Sequence, residues 1–357
     1  MFKHSLMRLA GVVLCTFPLL TPTVTHAADV GYDVQAVIPE NQVDKTKSFF
    51  DLRMQPDQKQ TISVRINNTS DQDSEYKVTI NQAYTSDQGF IDYSDPKKAT
   101  ENEYPYAIHS IAKVDDQVRV PKNSSKEVPI TLSMPQKSYD GQILAAIQVV
   151  KTDKESETGI SNNYGYILGL KLTESDAATK RQLTLTSVKA AESFGKTSVV
   201  AALKNPTMDA YGHLKYEAEV KKASSGSVVR TVSYDNDMQI ASNSTYHFAI
   251  DWQNKKLEAG KYDLHLKVSD AKKNVWTFDR PFTISKEQAK DVNEATIEAT
   301  DNDRLPSWVF VVIGILLAII LLGIIWLLLA KRKKKDDKET KKRGSCGCTI
   351  LFLRGFR

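Results

Sequence analysis

Cysteine is scarce in this 357-residue chain, and its placement makes it scarcer where it matters. Cys15 lies in an apolar N-terminal segment, Cys346 and Cys348 lie near the C-terminus, and none falls between Ala28 and Ser307. The central 280 residues therefore have no disulfide, thiol nucleophile or cysteine metal site, and must be stable through burial alone. They also lack the His-Glu-x-x-His and Gly-x-Ser-x-Gly patterns and any phosphate-cradling glycine loop. A positive surplus is missing there too: 35 basic residues stand against 40 acidic ones, a net of −5, although the whole chain is formally +5. The surplus Lys and Arg belong to the ends, so the composition gives no footprint for nucleic acid.

What the chain does have is one long charge-free run. Trp308 to Ala330 is twenty-three residues without a charge, followed at once by Lys331-Arg332-Lys333-Lys334-Lys335. At about 1.5 Å per residue such a helix crosses a hydrocarbon core of about 30 Å. The basic block predicts a cytoplasmic tail over 331–357 and an extracellular N-terminal side. At the other end, Lys3 and Arg8 precede an apolar Leu9 to Leu20 and a Thr25-His26-Ala27 cleavage site, the pattern of a signal peptide over 1–27. Leu305-Pro306-Ser307-Trp308 sits where a sortase signal would sit but lacks the Thr-Gly that sortase cleaves, so the helix itself is the expected anchor.

Between these ends the hydrophobic period is two. Ile62, Val64 and Ile66 alternate with Thr61, Ser63 and Arg65; the pattern recurs at Tyr76, Val78 and Ile80 and at Val128, Ile130, Leu132 and Met134. Leu144 to Val150 and Tyr164 to Leu170 are more continuously apolar, as strands covered on both faces would be. The polar stretch Lys151 to Ser161 reads as a hairpin loop and Thr173 to Arg181 as a domain boundary. Alternation resumes at Leu183 and Leu185, at Leu214 to Val220, at Tyr262 to Val268, and closes with Trp276, Phe278 and Phe282. The expected fold is all-β: two antiparallel immunoglobulin-like sandwiches, 28–176 and 177–285, then a spacer over 286–307, helical or extended, and a transmembrane helix over 308–330.

Candidate chemistry is sparse. His109, His213, His247 and His265 are scattered and read as surface residues. Asp235-Asn236-Asp237 lacks the glycine and the twelfth-position acid of a calcium loop and reads as a turn, so neither a metal nor a cofactor is expected. The Asn-x-Ser/Thr triplets at Asn68, Asn123 and Asn243 read as exposed turns. The most suggestive stretch is Tyr84 to Ala112, which breaks the strand rhythm and holds Tyr84, Phe90, Tyr93, Tyr104 and Tyr106. Aromatics on a long loop either stack on sugar rings or contact a partner, or they pack as a lid over the sandwich end.

The wording of several segments resembles the WxL-interacting proteins of low-GC Gram-positive bacteria. In the first half these are Tyr32 to Gln42, Phe49 to Leu52, Ser63 to Asn68, Gly89-Phe90-Ile91-Asp92-Tyr93 and Tyr139 to Leu144; in the second they are Met238 to Ser244 and Leu257 to Tyr262. The resemblance implies a peptidoglycan-binding domain, then a domain that binds host extracellular-matrix or cell-surface components, in a complex with WxL-domain surface proteins. The chain is not itself a WxL protein, because its one Trp-x-Leu match, Trp326-Leu327-Leu328, lies inside the apolar run. The alternatives from other classes are a cell-wall glycoside hydrolase with an unrecognised carboxylate pair and a transmembrane sensor; the first requires two facing carboxyls about 5–10 Å apart in a groove.

Overall fold

The computed structural model describes residues 30–152, 165–301 and 307–343. The signal peptide, most of the polar 151–161 stretch, Leu305-Pro306 and the Cys346/Cys348 tail lie outside the described residues. The first eleven strands are β1 (Tyr32–Val37), β2 (Phe50–Arg53), β3 (Lys59–Asn68), β4 (Ser74–Gln82), β5 (Tyr84–Thr85), β6 (Ile91–Asp92), β7 (Ala112–Val114), β8 (Gln117–Val120), β9 (Ser124–Ser133), β10 (Ile143–Lys151) and β11 (Gly165–Thr173). Two short helices, α1 (Pro96–Thr100) and α2 (Ile108–Ile111), fall between β6 and β7. One sheet runs β1-β3-β9-β7, and the facing sheet runs β2-β11-β10-β4-β8.

The alternation decides which side chains meet between the sheets. Ile62, Val64 and Ile66 from β3 and Val128, Ile130 and Leu132 from β9 are all at most 3% exposed, and they close one core with Phe50, Leu52, Tyr76, Val78 and Ile147. Each such side chain contributes about 1.5–3 kcal/mol by leaving water. β10 is the exception to alternation, because its outer residues Leu144 and Ala146 are buried as well. Leu144 is covered by Ala83, Tyr93 and Ala241, which explains the continuous apolar run in the sequence.

The second set of strands is β12 (Thr184–Ser193), β13 (Lys196–Lys204), β14 (Tyr211–Lys222), β15 (Val228–Ile240), β16 (Thr245–Asp251), β17 (Gly260–Ser269) and β18 (Val275–Ile284). They form sheets β12-β13-β16 and β15-β14-β17-β18 around a second core that includes Tyr211, Tyr216, Phe248 and Leu266. The two units repeat one plan. β12, β13 and β16 take the places of β1, β3 and β9, and β15-β14-β17-β18 takes those of β8-β4-β10-β11. Both sandwiches are immunoglobulin-like in this order.

The repeat extends to the turn after the second strand of each unit. Asn68 Nδ2 donates to the Gln72 carbonyl at 2.8 Å while its Oδ1 accepts from the Ser70 amide and hydroxyl; Asn205 Nδ2 donates to the Asp209 carbonyl at 2.8 Å while its Oδ1 accepts from the Thr207 amide and hydroxyl. Asn68 is thus a buried turn clamp and not an exposed acceptor site; Asn243 is buried too, and of the three triplets only that of Asn123 sits on an exposed turn. Asp235-Asn236-Asp237 is not a turn between strands either. It is a bulge inside β15, between the pairs Tyr216–Tyr234 and Leu214–Met238.

After β18 the chain enters α3 (Lys286–Asp301). Ser285 Oγ accepts from the Gln288 amide and Gln288 Oε1 accepts from the Ser285 amide, a reciprocal cap that starts the helix. The segment expected as a free spacer begins as part of the second unit, because Ala289, Val292 and Thr296 are buried there. α4 (Ser307–Arg343) follows, and Trp308–Trp326 within it has a mean hydropathy of 3.2, is not buried among the described residues, and is long and apolar enough to cross a membrane.

Candidate functional site

The loop from Tyr84 to Ala112 lies where the two units meet. Its near end is pinned to the second unit by short polar contacts. The Ala241 amide donates to Thr85 Oγ1 at 2.9 Å, Thr85 Oγ1 also meets Ser244 Oγ, and the Gln239 amide donates to the Gly89 carbonyl at 2.6 Å. Further along, Asn102 Oδ1 accepts from the Thr245 amide at 2.8 Å and Lys204 pairs with Glu103 at 3.2 Å. Gly89 allows this approach: its φ is +80°, and a Cβ there would stand 2.3 Å from Met238 Cε.

The five aromatic candidates take different roles. Tyr84 is buried and donates to Asp92 Oδ2 at 2.8 Å; Tyr104 donates to the Ala83 carbonyl at 2.8 Å. Tyr93 packs on Ala83, Leu144 and Ala241, and burial pushes its hydroxyl up to about 12. Tyr106 packs on the first core, its ring 5.4 Å from that of Tyr139. Phe90, at 41% exposure, is the one of the five that faces outward.

Phe90 stands at one end of a cleft of about 490 Å³ on the second unit. Tyr234 and Met238 from β15 and Tyr246 and Phe248 from β16 line it, so the cleft lies between the edge strands of the two sheets. Its far end is the β12–β13 turn, where Phe194 and Gly195 both have positive φ, 53° and 72°. Such two-residue turns ordinarily take Asn or Gly in the first place. An aromatic held there, 59% exposed, is a costly arrangement of the kind that clusters at binding sites. Residue spacing gave no sign of this cleft; the readable signal was a lone Phe before Gly in an otherwise ordinary turn.

The charged groups beside the cleft are neutralised in pairs. Asp251 pairs with Lys196 at 3.0 Å, and Asp87 with Lys98 at 3.5 Å. Burial opposes ionisation of Asp251, but bonds from the Gln253 amide and Lys196 prevail and hold the carboxyl below its ordinary range. Among the described residues, every carboxyl displaced from its ordinary range is displaced downward, including Asp92, Glu217, Glu258 and Asp270. A general acid requires the opposite displacement. All four central histidines are exposed, and His265 pairs with Asp279 at 2.7 Å. Among the described residues no group of three His, Cys, Asp or Glu side chains is placed to hold a metal ion.

Comparison with solved structures finds low-identity resemblances. These include a structure titled as the E. coli chaperone DraB (12% identity, 70% of this chain and 98% of that one, TM-score 0.28) and the YadV chaperone (11%, 71% and 100%, TM-score 0.27). A PapD-like domain of human CEP192 is another (11%, 44% and 98%, TM-score 0.27). No curated protein matches the chain. Family models do: "WxL Interacting Protein, peptidoglycan binding domain" over residues 32–151, and "WxL Interacting Protein, host binding domain" over residues 155–294. The first match covers β1 to β10 and the second runs from before β11 into α3, so together they span both sandwiches, and the chain belongs to the WxL-interacting protein family.

Proposed function

We propose that the chain is a non-enzymatic scaffold of the cell surface. Its first unit, over 28–176, holds peptidoglycan; its second, over 177–285, takes host extracellular-matrix or cell-surface components; and WxL-domain proteins join it there. The observation that carries this reading is the succession of two binding-domain matches on a chain that also holds a membrane-length helix. The basic block after Ala330 supports an orientation with both units outside the cell and the tail inside. Downward-displaced carboxyls favour binding over glycoside hydrolysis. Within the junction loop, Phe90 is the ring free to stack on a sugar, and Tyr84, Tyr93, Tyr104 and Tyr106 tie the loop to the fold.

The test is co-sedimentation of the full chain in detergent with purified peptidoglycan, followed by assay of the supernatant for new reducing ends. The chain should enter the pellet and release no sugar. A chain that stays in solution refutes the wall-binding reading, and one that liberates reducing ends makes it a hydrolase.

A further inference from the structure

The two units differ at one edge of an otherwise shared plan. In the first, β7 pairs along the outside of β9, Ala112 with Leu132, Lys113 with Thr131 and Val114 with Ile130. In the second, β16 occupies the place of β9, yet among the described residues no strand pairs along its outside. Hydrogen-bond alternation shows what that leaves open. The Trp252 amide donates to the Thr197 carbonyl, and the Asn205 amide to the Ser244 carbonyl, so even-numbered residues of β16 face β13. Thr245, His247, Ala249 and Asp251 therefore turn their amides and carbonyls outward. Asn102 Oδ1 meets the Thr245 amide and Arg230 Nε meets the Asp251 carbonyl. Between these two stoppers, the amides and carbonyls of His247 and Ala249 meet no protein group among the described residues. The cleft floored by Tyr234, Met238 and Phe248 runs beside this same stretch, with Phe194 at its rim.

We infer that the outer edge of β16 is a docking site for an extended segment of another polypeptide, which adds as the strand that β7 supplies in the first unit. Its backbone pairs with His247 and Ala249, and its alternate apolar side chains rest on Tyr234, Met238 and Phe248. Two observations choose a polypeptide over a glycan. A sugar has no periodic donor and acceptor row to match a strand edge, and the chain already fills the cleft end this way, with the Gly89 carbonyl taking the Gln239 amide of the neighbouring edge strand. The occupant should resemble β7, in which a buried Ala112 and a half-buried Val114 flank an exposed Lys113. This site goes beyond the wall-binding reading and stands without it.

The first unit also supplies the disruptive variant. Pro129 lies opposite Ser63 in β9, the place that Ala249 holds opposite Val200 in β16. A249P removes an outward amide and fills its space, while leaving the bonds to β13 intact. The test pans a phage-displayed library of random twelve-residue peptides against the full chain in nanodiscs. Synthetic winners are then measured against the wild type, A249P and Phe194→Ser. Winners should alternate apolar with polar residues and lose about tenfold or more in affinity on A249P, the loss of one or two hydrogen bonds plus a steric block. A second arm works on the peptide and needs no folded variant: N-methylation of alternate amides should abolish binding in one phase and spare it in the other. Absence of any enriched peptide, equal binding to A249P with an unchanged melting curve, or indifference to the phase of N-methylation each overturns the site.

Discussion

Removing Arg181 should destabilise the second unit far more than loss of a surface ion pair would. Its side chain is 10% exposed and reaches Asp270 Oδ2 at 2.6 Å through Nη1 and Asp209 Oδ2 at 2.9 Å through Nε, with the guanidinium 4.6 Å above the Tyr211 ring. The Asp270 side chain has no exposure at all. Arg181→Met fills much of the space and leaves that carboxylate buried without its cation, a change that costs about 3–5 kcal/mol in comparable pairs. Asn274 still donates to Asp270 through its amide and side chain, so the lower end, about 3 kcal/mol, is expected. For a unit of a little over 100 residues that is a fall in Tm of about 10–20 °C. Calorimetry of the wild type, Arg181→Met and Arg181→Met with Asp270→Asn measures it, and the double variant should recover most of the loss. The sign with pH follows from Asp270. Burial works against its ionisation, but bonds from Asn274 and Arg181 win and its carboxyl is held below the ordinary range. Stability from the pairing is therefore complete above the ordinary aspartate pKa and disappears as acid passes through the depressed one, and Arg181→Met should flatten that limb. A Tm change under about 2 °C, or a double variant no better than the single, would refute the reasoning.

Gly141 has a φ of +103° and its Cβ position lies 2.6 Å from the Met208 carbonyl, so Gly141→Ala should lower the melting of the first unit and speed trypsin cleavage between the units, where Lys180 is exposed. Replacing Tyr84, Tyr93, Tyr104 and Tyr106 together with Ala should lower Tm before it alters any binding, since three of their hydroxyls bond within the fold; a variant that melts normally contradicts their placement. Tyr32 and Tyr93 are both pushed up to about 12, Tyr32 by burial beside Tyr166 and Tyr76, so phenolate absorbance should show them neutral at pH 11 while the fold persists. Protease added to wall-stripped cells should remove both units and leave a small membrane fragment with the basic tail; protection of the units reverses the proposed orientation.

The strands were legible wherever one face is buried, because alternation at Ile62 to Ile66 or Tyr262 to Val268 is the imprint of a single core. The repeat of the two units was not, since strand order comes from long-range pairing and the residues in equivalent places differ, as Pro129 and Ala249 do. The clamp at Asn68 was visible only as a triplet with another meaning, and its counterpart Asn205, followed by Pro206, carried no such triplet. The aromatic loop was found by its broken rhythm, but composition does not say which rings turn inward; that depended on Ala83, Leu144 and Ala241 meeting across the junction. Apart from Phe194 before Gly195 the cleft had no local signature, because its walls come from four strands and two turns spread over 165 residues, from Asp87 to Asp251.

Division of labour between the units is the central claim, and hydrogen exchange tests it most directly. The full chain in nanodiscs is exchanged with and without soluble peptidoglycan fragments, and protection is read peptide by peptide. Slowed exchange should be confined to the first unit, 28–176, with Phe90 and its loop among the protected segments. Protection confined to 177–285, or none at saturating fragment, would contradict the account.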